Sequence, residues 1–206
     1  MSQMTDFTLP SCVPGRTLHA FRCVPEGEVR AILQLSHGMV EFIDRYKPLA
    51  EYLAARGILV TGHDHLGHGG SIRTRADYGY FAQPDGNRAV LDDLHAVTAL
   101  TKQLYPGVPY FLLGHSMGSF YARQYLCEWG DELDGAIIMG TGYQPKALVQ
   151  LARTICRVLA VFHGWHYRSK LVARLSFLGY NKGLEGRTAH RSEEHTSELQ
   201  SRRHLV

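Results

Sequence analysis

The five residues Gly114-His115-Ser116-Met117-Gly118 separate a strand-like apolar run, 109–114 (PYFLLG), from a helix-patterned stretch, 117–129. This arrangement constrains the fold more than any other feature of the chain. A serine with glycine two positions before and two after it fits a sharp turn from a buried strand into a helix, where side chains at those two positions would collide. Gly114 and Gly118 remove them. The serine must take a sparsely populated backbone conformation, at a cost on the order of 1–3 kcal/mol, so a packed sheet and helix have to hold it. A chain of 206 residues with 45% hydrophobic and 20% charged side chains can provide that scaffold. At this length roughly 70% of the unfolded chain's surface becomes buried, without a disulfide or metal to staple the core.

The rest of the chain reads as the frame such a turn requires. Strands are expected over 17–23 (TLHAFRC), 29–36 (VRAILQLS), 58–63 (ILVTGH), 109–114 and 133–139 (LDGAIIM). Helices are expected over 44–56, ended by Gly57, then over 87–105, with Val90, Leu91, Leu94, Val97, Leu100 and Leu104 inward, and over 117–129. Strand and helix alternating with short connectors predict an α/β fold, a mostly parallel sheet with helices on both faces. Ligands of such sheets bind at the carboxyl ends of the strands. Three irregular segments fall at such ends: His37-Gly38, the glycine-rich 64–71, and the turn around Ser116.

These segments carry the chemistry. A serine hydroxyl is a weak nucleophile until it is held out of the backbone beside a base and near donors for an oxyanion, and a helix N-terminus after the serine points N–H groups at developing negative charge. The oxyanion donors are expected to be the backbone amides of Met39, in the loop 36–39, and Met117, with Gly38 letting that loop turn inward. His115 completes the turn, and His37 is expected to be hydrogen-bonded scaffold, since it precedes the serine whereas the base of this architecture follows it. The cluster His63, Asp64, His65 and His68 invites a metal reading, but its crowding among glycines fits no usual zinc spacing, so no metal and no cofactor is expected. Asp64 should instead brace neighbouring loops through their N–H groups.

With SHGM, HDHLGHGGS and LLGHSMGS in this order and separation, residues 17–145 resemble the monoacylglycerol lipase and lysophospholipase-like, serine aminopeptidase S33-type branch of the α/β-hydrolase superfamily. The resemblance implies an α/β-hydrolase fold, Ser116 as nucleophile, Met39 and Met117 as oxyanion donors, a small-molecule acyl ester as substrate, and a helical cap beginning after Tyr143. In the cap, Leu148, Val149, Leu151, Ile155, Val158, Leu159 and Phe162 would line an acyl site or pack ordinarily. Members of this superfamily place the triad carboxylate and histidine on late strands well beyond the cap. Here Asp131, Asp134, His163 and His166 follow the serine, and none matches such a position. The chain is therefore expected to be inactive as written, and its last strand to form an open edge prone to aggregation. The reading from another class is a non-catalytic α/β module that binds a lipid or partner at the same place.

Charge divides the chain. Residues 1–145 hold 11 basic against 15 acidic side chains, and 146–191 hold nine against Glu185 alone. Nucleic acid is excluded as a partner, because the first part is acidic and shows no basic stripe interleaved with aromatics. The basic helical segment fits either peripheral membrane contact or a solvated face. The expected organisation is core over 1–145, an incomplete cap over 146–190, and a non-native tail over 191–206, where RSEEHTSELQS resembles a translated sequencing-library adapter. Cys12, Cys23, Cys127 and Cys156 show no metal spacing, and the N-terminus shows no apolar signal, which together set the cytoplasm as the expected compartment.

Overall fold

Three short strands rich in Leu and Ile lie side by side at the centre of the sheet: β3 (Ala31–Ser36), β4 (Ile58–His63) and β5 (Tyr110–His115). They run parallel, with Ile32 opposite both Leu59 and Tyr110 and Ser36 opposite Gly114. Each is buried almost along its whole length, as a parallel strand covered on both faces must be. A computed structural model describes residues 2–172. Around this centre the sheet has the order β1-β2-β4-β3-β5-β6, with β1 (Gln3–Pro10), β2 (Thr17–Val24) and β6 (Gly135–Met139) outside. β6 continues the parallel set, whereas β1 pairs with β2 and β2 with β4 in antiparallel fashion.

The helices close both faces. α1 (Lys47–Ala54) follows a tight 3-10 turn over Ile43–Tyr46 and sets Ala50 and Ala54, with Ile43, against Phe21, Leu33, Leu35, Val60 and Leu113. α2 (Gly86–Leu104) and α3 (Met117–Trp129) bring Val90, Leu91, Leu94, Tyr121, Ala122 and Tyr125 to the other face, around Leu112. Alternate residues of one strand thus feed opposite cores, which is the period of two that a pleated strand imposes. Gln34 is the polar exception. Its amide donates to Leu94 O at 2.9 Å, and its oxygen accepts from Thr98 and Tyr110, so a fully buried side chain ties β3 and β5 to α2 with its hydrogen bonds satisfied.

The strand over 58–63 and the helix over 117–129 fall as the pattern predicts, while the expected strands 29–36 and 133–139 start later, at Ala31 and Gly135. The helix expected over 44–56 opens as the 3-10 turn and ends at Ala54, with Gly57 at φ +80° just beyond it. β1 escapes the sequence reading altogether. Among the described residues its only strand neighbour is β2, most of its side chains are exposed, and no apolar run announces it.

The chain divides into two compact units, the first ending at Thr141 and the second beginning at Gly142. The second contains α4 (Lys146–His163), stopped by Gly164 at φ +83°. Helical geometry lines up Lys146, Gln150, Arg153 and Arg157 along one stripe and puts Leu148, Leu151, Ile155, Leu159 and Phe162 opposite. The adapter-like stretch 191–206 lies outside the described residues.

Candidate active site

Ser116 sits between β5 and α3 with φ 51° and ψ −115°. The surroundings explain how this strain is held. A Cβ at Gly114 would lie 2.4 Å from Gly118 O and 2.7 Å from the Ala122 side chain, and one at Gly118 would lie 2.0 Å from Ser36 O. The first turn of α3 is therefore pressed onto the ends of β3 and β5, and only glycine fits at either position. On the other side the Ser116 N–H donates to Met139 O at 2.9 Å, at the end of β6. The Ser116 side chain is half-buried, and its hydroxyl has no hydrogen-bond partner among the described residues. Met117 follows as the first residue of α3, where N–H groups lack an intrahelical acceptor.

The loop after β3 faces this turn. The Cβ position of Gly38 is 3.2 Å from Ser116 Cβ, so a side chain there would stand against the serine. The Gly38 N–H donates to Glu41 Oε2 at 2.8 Å, and Gly38 O accepts from His37 Nδ1 at 2.7 Å. The N–H of Met39 has no partner among the described residues, and its side chain is exposed. Val40 follows with φ 61°. Val40 and Ser116 are the only non-glycine residues at positive φ among those described, and they belong to the two segments that face each other. Strain of this kind collects where a surrounding structure over-determines the backbone.

Behind the loop lies a stack of buried histidines. His37 Nε2 accepts from the His65 N–H at 3.0 Å, which with its bond to Gly38 O assigns the proton to Nδ1 and leaves the ring neutral. Its ring lies 4.3 Å from that of His65 and 5.3 Å from that of His68. Burial pushes all of these rings toward the neutral form, His63 down to about 3 and His68 to about 4, with His37 and His65 also lowered. Neither ring nitrogen of His63 has a hydrogen-bond partner among the described residues. Asp64 braces the loops around this stack, accepting from the Ile43 N–H at 2.6 Å, the Gly70 N–H at 2.8 Å and His19 Nδ1 at 2.9 Å. Burial opposes its ionisation, but His19 and these amides hold its carboxyl below the usual range. Among the described residues the single set of three side chains able to meet one ion is Asp6, His19 and Asp44, which includes none of His37, His63, His65 and His68. There the Lys47 ammonium already stands 2.8 Å from Asp6 and 3.1 Å from Asp44.

One group at the site went unread in the sequence. Glu41 Oε2 accepts from the Gly38 N–H, from the Tyr46 hydroxyl at 3.0 Å and from His115 Nδ1 at 3.1 Å. Burial would raise its pKa, but these donors lower it, so the carboxylate stays ionised. The signal available in the sequence was slight: an acid three residues after Gly38, in a loop whose other polar residues are accounted for. Of the acids and histidines that follow Ser116, Asp134 is committed elsewhere, accepting from the Tyr110 N–H at 2.7 Å at the start of β5. Asp131 lies in an exposed 3-10 turn, and His163 stacks on Tyr167 within the second unit.

Comparison with known proteins agrees with this architecture. A carboxyl esterase from Bacillus coagulans superposes with a TM-score of 0.77 at 24% identity, covering 93% of this chain and 61% of that one, a likeness of fold. The monoglyceride lipase homolog of Monkeypox virus is 37% identical over 131 residues, 59% of this chain and 42% of that protein. Human monoglyceride lipase is 39% identical over 106 residues, 48% of this chain and 30% of its own. The chain thus spans less than half the length of these relatives. The family model described as serine aminopeptidase, S33 matches residues 27–203, a span that includes the adapter-like string. On that match, and with an α/β-hydrolase sheet around it, the chain belongs to the serine aminopeptidase S33 family.

Proposed function

We propose that this chain carries the nucleophile-bearing part of a serine hydrolase that cleaves carboxylic esters, with monoacylglycerol or lysophospholipid-type acyl esters as substrates. The observation that carries the reading is Ser116 at φ 51°, 3.2 Å through its Cβ from the Gly38 Cβ position of the loop that carries the Met39 N–H, with neither the hydroxyl nor that N–H partnered among the described residues. The names of the relatives, monoglyceride lipases among them, support the substrate class. In the first step Ser116 Oγ forms a bond to the ester carbonyl carbon and gives up its proton. The carbonyl oxygen gains the charge and is received by the N–H groups of Met39 and Met117. The ester C–O bond then breaks, the alcohol leaves with a proton, and the acyl group remains on Ser116 until water removes it. Losing one oxyanion donor of this kind costs about 10²–10³ in rate.

The proton transfers need a base, and no histidine hydrogen-bonds Ser116 among the described residues. Without its base a triad of this kind loses on the order of 10⁶ in turnover, so hydrolysis at Ser116 requires a histidine supplied from outside the described residues. α4 adds a surface role: three cations in line with no acid in the helix, and apolar residues opposite, suit contact with an anionic lipid surface. Co-sedimentation with anionic liposomes, lost at high salt, tests that contact. No helix among the described residues is long and apolar enough to cross a membrane. A fluorophosphonate probe tests the activity. The full-length protein should be labelled at Ser116, Ser116→Ala should abolish labelling, and a full-length protein that stays unlabelled would leave only a binding module.

A further inference from the structure

The two peptide planes that carry the oxyanion loop are each held at one end. A trans peptide points its C=O and its N–H in opposite directions. Binding Gly38 O to the buried ring of His37 at 2.7 Å therefore aims the Met39 N–H away from the histidine stack. The preceding plane is held by its own N–H, which Gly38 gives to Glu41 at 2.8 Å. The same oxygen of Glu41 takes the Nδ1 proton of His115, the residue directly before Ser116. One carboxylate oxygen thus joins the loop to the turn across 74 residues of sequence, and Tyr46 steadies it from the 3-10 turn. The loop needs such a restraint, because Val40 keeps φ 61°, a conformation that a β-branched residue leaves once released.

We propose that Glu41 is a positioning residue for ester cleavage, holding the Met39 amide at its working distance from Ser116 by coupling the loop to His115. This rests on the reading of Ser116 as nucleophile. Glu41 touches no reacting atom. It consumes the Gly38 N–H, so that the next amide is the one presented, and it fixes the proton of His115 on Nδ1. A glutamine keeps one acceptor oxygen for Gly38 but loses the charge that gathers three donors on one atom. Leucine keeps neither.

The test uses the full-length gene product and the variants Glu41→Leu, Glu41→Gln and Glu41→Asp, with a short-chain ester as substrate and a trifluoromethyl ketone as tetrahedral analogue. Glu41→Leu should lower kcat by about 10²-fold with KM within about twofold, the size expected when one oxyanion donor is misplaced. Affinity for the ketone should fall in step with kcat/KM, and Glu41→Gln should recover part of the loss. A well-folded Glu41→Leu with wild-type kcat, or a loss confined to KM, overturns the proposal. Should that variant fail to fold, the glutamine and aspartate variants decide by the same split between kcat and ketone affinity. A wild-type product that takes no label at Ser116 defeats the functional reading and this inference with it. A labelled, active wild type with unimpaired variants defeats the inference alone.

Discussion

The centre of the sheet and its β6 edge are built from similar residues, yet they stand in opposite conditions. Ile32, Leu35 and Leu59 on β3 and β4 are fully buried, whereas Ile137 and Met139 on β6 are 47% and 44% exposed. The central strands have a hydrogen-bonded neighbour on each side and a helix layer on each face, while β6 has β5 on one side and no strand beyond it among the described residues. The turn at Ser116 draws on both regions. Gly118 is pressed onto Ser36 of β3, and the Ser116 N–H is given to Met139 of β6. Rigidity at the site therefore comes from the β3 side, and the β6 side is where the fold is least protected.

The largest effect is expected where the central packing leaves no room. Gly118→Ala places a methyl group 2.0 Å from Ser36 O, a clash with backbone that no rotamer change can relieve. Loss of about 4 kcal/mol or more is expected, enough to unfold a marginal domain. Gly27→Ala, with nothing within 4 Å of its added carbon, is the control and should shift stability by less than about 0.5 kcal/mol. Urea midpoints of the two variants measure the contrast, and equal midpoints would dismiss the idea that the turn is held from β3.

Next in size comes the brace behind the oxyanion loop. Asp64→Asn keeps one acceptor oxygen for the three donors from Ile43, Gly70 and His19 and turns an amide donor toward another donor. About 3 kcal/mol is the expected loss, read from thermal or denaturant unfolding at pH 7. A loss below about 1 kcal/mol would mean that the loops hold themselves.

The histidine stack predicts an acid response with a definite sign. His37, His63, His65 and His68 have folded pKa values below their unfolded value of about 6.5, so the unfolded chain binds more protons as pH falls below it. Stability is full above that value and is lost toward pH 4, by about 1.4 kcal/mol per pH unit for each of His63 and His68, with His37 and His65 adding in the same direction. His19, raised by its bond to Asp64 and stabilising when protonated, works in the opposite sense and moderates the slope. His63→Leu gives up no hydrogen bond and should flatten the acid dependence by about one proton. Urea midpoints between pH 4.5 and 7 would show it, and an unchanged slope would mean that His63 does not stay neutral in the fold.

These two regions also differ in how far the amino-acid order alone reveals them. Local rules set boundaries to within a few residues: Gly57, at φ +80°, lies before β4 although α1 already ends at Ala54, and the glycine spacing around Ser116 marks the end of β5 and the start of α3. Gly38 was placed because a tight loop needs it, and Asp64 was expected to bind loop amides, as it does with Ile43 and Gly70. Glu41 was not found, since its bond to His115 exists only once β3 and β5 lie side by side, and neither residue carries a local signature. β1 was missed for a related reason. An exposed strand held along one edge needs no apolar run, and its partner β2 reveals itself only in three dimensions.

The smallest expected change in stability carries the sharpest test of the β6 side. Ile138 packs against the cluster around Leu112 and Tyr121, so Ile137 and Met139, at alternate positions, turn the other way and stand exposed along an edge that pairs with no further strand among the described residues. An edge that is apolar and unpaired templates association with a second copy, and a lysine on it discourages that pairing. Ile137→Lys changes a side chain that is 47% exposed and belongs to no core cluster among the described residues, so the unfolding free energy of the 206-residue chain should move by no more than about 0.5 kcal/mol. Light scattering at tens of micromolar protein should nonetheless fall well below that of the unmodified chain. If the lysine variant scatters as strongly as its parent, the edge is not what drives association, and the contrast between the two halves of the sheet is one of burial alone.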